Sequence, residues 1–337
     1  MTPDAADVPA TPDPEHTATA PGPAQIDTGT DAEADTAEAL CAYARTDGRR
    51  FLADPNITSI GVGRKVVDGR RVGPLCLQFT VRTKVRPETL GDGRIVIPPI
   101  LTIDGVEVPT DVLERDYRLA AQPAYANTAD TADTADMADT ADTADMADTA
   151  DPADTVRPAA PAPGTGPALV PIPEAAGPDR TRRQDPLVPG VSVAHVDGTA
   201  GTVGCIVVDR RTADRYVLSN WHVLQGVEGQ AGDAVVQPGP ADGGTAPADR
   251  IGDLVRGHLG LLGDCAVAGV GGRRVDPRIL GLGVVPRRAA APALDQTVVE
   301  SGRTTGVTRG TVRRVGVVVK LDYGDGEHQV GVVEIAP

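Results

Sequence analysis

The chain has 337 residues and only 2% aromatic residues, so its core must be built mostly from Val, Leu, Ile and Ala. Residues 1–38 and 128–154 each hold nine acidic residues and no Lys or Arg; removing these 18 charges from −15 leaves +3. The acidity therefore belongs to low-complexity segments, which argues against a folded surface that binds cations or basic partners.

Targeting and metal signals are absent from the sequence. The N-terminus has neither the basic n-region nor the apolar h-region of a secretory signal peptide. No run of 18 apolar residues, as a membrane-spanning helix needs, occurs in the sequence. We therefore expect a cytoplasmic protein with no membrane or nucleic-acid partner, and the sequence does not specify an oligomeric state. No C-x-x-C pair is present, so we expect no metal and no cofactor; the four cysteines are Cys41, Cys76, Cys205 and Cys265.

The first predicted domain is a small α+β unit over residues 34–118, after a disordered acidic N-terminus at 1–33. It opens with an amphipathic helix over 35–54, in which Asp35 is the N-cap and Glu38 completes a capping box. Two strands follow, ITSIGVGRKVV and PLCLQFTVRTKV, separated by a turn that begins with Asp-Gly.

A disordered linker is predicted over residues 119–188. TAD and MAD triplets repeat from Thr128 to Asp154, and a period of three residues suits neither a helix nor a strand. Without Gly at every third position the repeat is not collagen. Weak calcium binding by the aspartates is the functional alternative to a solvated linker, which a Pro-rich stretch then continues.

The last predicted domain, 189–337, contains short Val-rich segments divided by Gly, Asp or Pro, among them VSVAHV, GCIVVD, RYVLSN and DCAVAGV. This spacing predicts a mainly β fold, either a sandwich or a barrel. The segment YGDGE (323–327) predicts a hairpin turn between the last two strands.

Two residues of this domain are candidates for acid–base chemistry. His222 follows the strand YVLSN, where Ser219 and Asn220 permit a close turn, although a single His in such a place is often structural. Asp264 begins the strand DCAVAGV, and a buried carboxylate there requires a partner. The Nδ1–H of a histidine is a fitting partner, whereas a turn capped by backbone N–H groups is the structural alternative.

These segments carry a family resemblance. GTVGCIVVD with YVLSNWHVL, then GDCAVA, then VVESGRTTGVTRGTV resemble trypsin-like serine peptidases of the chymotrypsin fold, in particular a bacterial branch with an LSN-x-HVL histidine motif. The match covers about 189–330. The resemblance implies a double β-barrel acting on a protein or peptide substrate, with His222 as the general base and Asp264 as the residue that orients it. Their separation of 42 residues is close to the roughly 45 of the family template.

The resemblance has further consequences outside those two residues. Val223 stands where the family usually has a cysteine, which favours a free thiol at Cys205, although a bridge to Cys265 stays open. The unit at 34–118 looks like the domain that often precedes such peptidases in bacterial proteins.

The nucleophile of the family is missing from the sequence. No G-D-S-G occurs, and the four serines lie in other settings: Ser59, Ser192, Ser219 and Ser301. Cys265 adjoins Asp264 and points to the opposite face of its strand, so we expect it in the core. We therefore expect a C-terminally truncated domain with an incomplete second barrel, loose or covered by something else. The prediction is a serine endopeptidase-like protein that is inactive as written; the alternative is a non-catalytic protein-binding module on a peptidase-like barrel.

Overall fold

The computed structural model describes residues 28–67, 70–86, 89, 91, 93–119, 170–171 and 179–336. The predicted TAD and MAD repeats, and with them the calcium alternative, lie outside the described residues. The fold is mainly β, as predicted, with two sheets whose arrangement is consistent with a trypsin-like barrel. Along the described part of the chain, no helix combines the length and the apolar character needed to cross a bilayer.

Short helical segments accompany fifteen strands in the described residues. The helices are α1 (Thr28–Arg45), α2 (Trp221–Leu224), and 3₁₀ turns at Asp47–Ala53 and Pro240–Asp242. The strands are β1 (Ile57–Val67), β2 (Arg70–Val81), β3 (Ile100–Ile103), β4 (Val106–Glu114), β5 (Val170–Pro171), β6 (Ser192–His195), β7 (Gly201–Thr202), β8 (Cys205–Val208), β9 (Arg215–Ser219), β10 (Ala234–Val236), β11 (Arg250–Gly260), β12 (Gly263–Gly269), β13 (Thr297–Gly302), β14 (Gly306–Asp322) and β15 (Glu327–Ala336).

The first helix differs from the predicted one at both ends. It begins at Thr28, seven residues before the predicted N-cap Asp35, and so includes residues that we expected to be disordered. The Ala- and acid-rich sequence there favours helix once Leu40 and Ala44 are buried against the sheet. The helix ends at Arg45, and a 3₁₀ turn over Asp47–Ala53 follows. Within that turn, Gly48 packs too closely on Ile60 and Tyr43 to carry a side chain.

The seven-stranded sheet holds the segments that resemble the first barrel of the peptidases. Its strand order is β7-β6-β10-β11-β12-β9-β8, and every pairing is antiparallel. Its apolar core includes Val193, Val217, Val235 and Leu254, each at most 1% exposed. The order places β9 beside β12. β9 ends three residues before His222, and β12 carries Asp264.

The eight-stranded sheet combines strands from residues 57–114 with strands from residues 297–336 and the short β5. Its order is β13-β14-β1-β2-β4-β3, and both β15 and β5 pair with β14. In the contact between β1 and β14, Ser59 lies opposite Val319 and Gly63 opposite Arg314. Strands from the predicted α+β domain and from the predicted peptidase domain therefore form one sheet, which was not expected. β1 pairs with β14 at residues 314–319, within a run of β14 from 314 to 320 that is buried throughout.

A buried ion pair lies at this junction. Arg314 is 1% exposed; it contacts Glu334 Oε2 at 3.1 Å and donates to the Ser59 hydroxyl at 3.0 Å and the Gln78 carbonyl at 2.6 Å. Arg115 also pairs with Glu334. Burial alone raises the pKa of Glu334, but the two guanidinium groups outweigh it and the pKa is lowered.

Gly316 on β14 provides a test of the packing between the helix and the sheet. Its φ is +57°, and a Cβ there would lie 2.5 Å from the Cys41 Sγ and 3.0 Å from the Cys41 Cα on α1. We expect Gly316→Ala to lower the free energy of unfolding in urea by about 1–3 kcal/mol. Gly73, with φ +88° and nothing within 4 Å of where a Cβ would lie, is the control for backbone strain alone. An equal loss in Gly73→Ala would contradict the packing explanation.

Candidate active site

The turn after β9 presents His222. Val217 and Ser219 on β9 are buried, and the Ser219 hydroxyl donates to the Thr202 carbonyl at 2.6 Å. The short helix α2 follows, anchored by Leu224, which is fully buried. The His222 side chain is thereby held just beyond the end of β9, with 25% of its surface exposed.

Asp264 lies on the neighbouring strand and meets this imidazole. Ala266 of β12 is opposite Ser219 of β9, so the start of β12 reaches the turn. The His222 Nδ1 lies 2.5 Å from Asp264 Oδ2. Asp264 Oδ1 accepts the backbone N–H of Trp221 at 2.5 Å and that of His222 at 3.3 Å. The structure thus brings together the two predicted site residues; their catalytic role stays a prediction.

The charge on Asp264 is stabilised locally. Its side chain is 10% exposed, and burial by itself raises the pKa of the carboxyl. The hydrogen bond and charge of His222, together with the two backbone N–H groups, outweigh burial and hold the pKa below its usual range. The carboxylate therefore stays ionised at neutral pH and acts only as a hydrogen-bond acceptor.

A third side chain, which the sequence analysis did not identify, contacts the same carboxylate. Tyr323 follows β14 in the hairpin turn that YGDGE correctly predicted, and its hydroxyl donates to Asp264 Oδ2 at 3.2 Å. The ring is 1% exposed and meets Trp221 edge-on, with centroids 5.9 Å apart. Burial and the nearby Asp264 charge raise the pKa of Tyr323, so the phenol remains protonated at neutral pH. The only sequence signal was a tyrosine at a hairpin turn in an aromatic-poor chain.

His222 opens onto a cleft of about 580 Å³ between the two sheets. Its wall includes Arg45 of α1, the turn residues Leu261 and Leu262, and Tyr323. None of the described residues that line this cleft is Ser, Thr or Cys. The imidazole Nδ1 is bonded to Asp264, which leaves Nε2 as the nitrogen available to a molecule in the cleft.

The four serines are committed elsewhere in the fold. Ser59 contacts Thr80 Oγ1 and Arg314, and Ser192 accepts the Gly239 N–H at 2.9 Å. Ser219 is 8% exposed in the His turn, as predicted, and Ser301 donates to the Leu280 carbonyl at 2.6 Å. No serine hydroxyl is therefore placed beside His222 by the part of the chain that the structure describes.

The four cysteines are free thiols, so Cys205 and Cys265 do not pair. Cys265 lies opposite His258 across β11 and β12, one residue from Asp264 and hence on the other face of the sheet. It is half-buried rather than fully in the core. In the described ranges, no group of three His, Cys, Asp or Glu residues is arranged to hold a metal.

The lowered pKa of Asp264 predicts a pH dependence of stability. A carboxyl whose folded pKa is depressed stabilises the fold above its unfolded pKa of about 3.9 and loses this contribution as pH falls through the folded value. We expect the stability difference between the wild type and Asp264→Asn to shrink progressively below about pH 4. Urea unfolding at a series of pH values measures it, and a constant difference down to pH 2 would contradict the assignment.

Comparison with known proteins gives a limited result. No protein-family model matches the chain, and no curated protein matches it. Among solved structures, one that is similar is described as a glutamic acid specific serine protease that utilizes a novel histidine triad in substrate binding. It shares 19% identity over 43% of this chain and 70% of its own, with a TM-score of 0.29. At that level the family, the bacterial branch and its motif stay predictions.

Proposed function

We propose that this chain is a serine endopeptidase-like protein that keeps the base half of the catalytic triad and lacks the nucleophile, so that it does not cleave peptide bonds as it stands. The observation that carries the proposal is the 2.5 Å contact between His222 Nδ1 and Asp264 Oδ2, which leaves Nε2 free of the carboxylate in a residue that lines the cleft. In a triad the carboxylate fixes the imidazole tautomer and stabilises its charged form, while Nε2 takes the proton of the serine hydroxyl.

The missing hydroxyl decides the level of activity. Loss of the serine alone lowers turnover by roughly 10⁶ in a triad enzyme, about the same as loss of the whole triad. Ser219, the serine nearest in sequence to His222, already donates its hydroxyl to a backbone carbonyl. A base without a nucleophile leaves only a reactive imidazole in the cleft.

A second candidate function is a non-catalytic module that binds proteins or peptides. The observation in its favour is the apolar rim of the cleft, where Leu262 is 87% exposed and Val333 is 37% exposed. Exposed apolar side chains grouped at one cleft are a feature of interaction sites. The two candidates agree on the absence of turnover and differ in what His222 does.

The test combines a serine probe with a histidine probe. A fluorophosphonate is expected to label no serine, and diethyl pyrocarbonate is expected to modify His222 faster than His258, an exposed histidine on β11. Peptide-resolved mass spectrometry gives both results. A labelled serine or peptide turnover would overturn the claim that the nucleophile is missing. A His222 that reacts no faster than His258, but is protected by an added peptide, would favour the binding module.

A further inference from the structure

We infer that Tyr323 is a positioning residue for the His222–Asp264 pair: its hydroxyl holds Asp264 Oδ2 in place and ties the pair to the eight-stranded sheet. The inference rests on the proposed function, because it names how the carboxylate of that site is oriented. The contact that carries it is the 3.2 Å hydrogen bond from Tyr323 Oη to Asp264 Oδ2.

The two oxygens of Asp264 are held in different ways. Oδ1 accepts backbone N–H groups from Trp221 and His222, which belong to the same helix α2 as the imidazole. Oδ2 accepts the imidazole itself and the Tyr323 hydroxyl. Tyr323 is therefore the side chain through which the other sheet acts on the carboxylate.

Tyr323 has little freedom to move. Its ring is 1% exposed, is clustered with Val319 and Val330, and meets His328 edge-on at 5.7 Å between centroids. Its backbone N–H donates to the Gly326 carbonyl at 3.2 Å, which closes the hairpin turn. A rigid, protonated phenol is a fixed donor, so Oδ2 keeps one lone pair toward Tyr323 and presents another to His222.

Loss of this donor changes the site more than the fold. Without the phenol hydroxyl, Asp264 Oδ2 accepts from the imidazole alone, and only the two backbone N–H groups at Oδ1 still orient the carboxylate relative to the plane of the imidazole. The Nδ1–H form of His222 is then less favoured, and less of the Nε2 lone pair is directed to the cleft. Tyr323 thus makes the imidazole depend on the hairpin β14–β15, which is itself paired with β1 of the N-terminal unit.

The experiment compares Tyr323→Phe with two controls. ¹⁵N NMR of the neutral imidazole measures the share of His222 with its proton on Nδ1, and diethyl pyrocarbonate gives the rate of reaction at Nε2. We expect Tyr323→Phe to lower the Nδ1–H share and to slow the reaction by about three- to tenfold. Tyr216→Phe on β9 controls for loss of a phenol hydroxyl elsewhere, in the seven-stranded sheet that carries His222 and Asp264. Val330→Ala controls for destabilisation of the apolar cluster around Tyr323.

Each outcome decides a separate point. If Asp264→Asn alters His222 but Tyr323→Phe leaves both readouts unchanged, the inference is overturned and the proposed function stands. If neither variant alters His222, the proposed function fails as well. If Val330→Ala reproduces the effect of Tyr323→Phe, the tyrosine acts through packing alone and the inference is again overturned.

Discussion

Asp264→Asn is expected to slow the reaction of diethyl pyrocarbonate with His222 by at least about tenfold, because the substitution reverses the tautomer of the imidazole. The orientation of the new amide follows from the partners of the two carboxylate oxygens that it replaces. Trp221 N–H and His222 N–H both donate to Oδ1, so the carbonyl oxygen of the new amide takes that position. The amide NH₂ then faces His222 Nδ1.

An NH₂ group donates to Nδ1 and forces the proton of the neutral imidazole onto Nε2. The lone pair that faced the cleft is lost, although the shape of the site is retained. The same substitution in the serine-peptidase template preserves geometry and lowers turnover by about 10⁴ for this reason. We expect ¹⁵N NMR to show the Nε2–H form as the main neutral species.

A matched control lies in the same sheet. His195 Nε2 is 3.2 Å from Asp233 Oδ2, so Asp233→Asn makes the same chemical change beside another histidine. It should leave the rate at His222 unchanged. A His222 that reacts in Asp264→Asn as it does in the wild type would show that the carboxylate does not control the imidazole.

The meeting of His222 and Asp264 was accessible from the sequence because each signal is local. A strand that ends in Ser219 and Asn220 permits a tight turn, and an acid at the start of an apolar strand requires a partner. The order along the chain of the segments that contain His222 and Asp264 then limits which strands can be neighbours. The hairpin turn before β15 was equally local, since Gly324 and Gly326 both adopt positive φ angles of 100° and 125°.

The contacts between distant segments were not accessible in the same way. Ser59 pairs with Val319, and alternation within each strand specifies a buried face but not the partner strand. The division into two β-containing domains followed from the composition of the linker, which carries no information on strand pairing. Tyr323 was missed for the same reason: its contact with Asp264 exists only when the β14–β15 hairpin packs beside β12.

The pairing of distant segments predicts the second large effect. Glu334→Gln is expected to lower the free energy of unfolding by about 3–5 kcal/mol, because it leaves Arg314 charged and buried without a counter-charge. Arg314 is 1% exposed, and Glu334 is its ion-pair partner at 3.1 Å. The substitution preserves the shape of the side chain, so the change measures charge rather than packing.

The control is the same substitution in a solvated pair. Glu33 of α1 pairs with Arg64, and their side chains are 48% and 30% exposed. Exposed pairs contribute about 0–1 kcal/mol, so Glu33→Gln should have little effect in the same urea titration. Equal losses in the two variants would show that burial of Arg314 does not set the cost.

The stability lost in Glu334→Gln concerns the contact between β14 and the strands β1 and β2. Arg314 donates to Ser59 of β1 and to the carbonyl of Gln78 of β2, so its ion pair holds the N-terminal unit against β14. Replacing both partners by methionine removes the buried charge together with its counter-charge, and we expect the Arg314→Met, Glu334→Met double variant to recover much of the stability that Glu334→Gln loses. If the double variant is instead less stable than Glu334→Gln, the hydrogen bonds of Arg314 to β1 and β2 contribute more to the sheet than its charge costs.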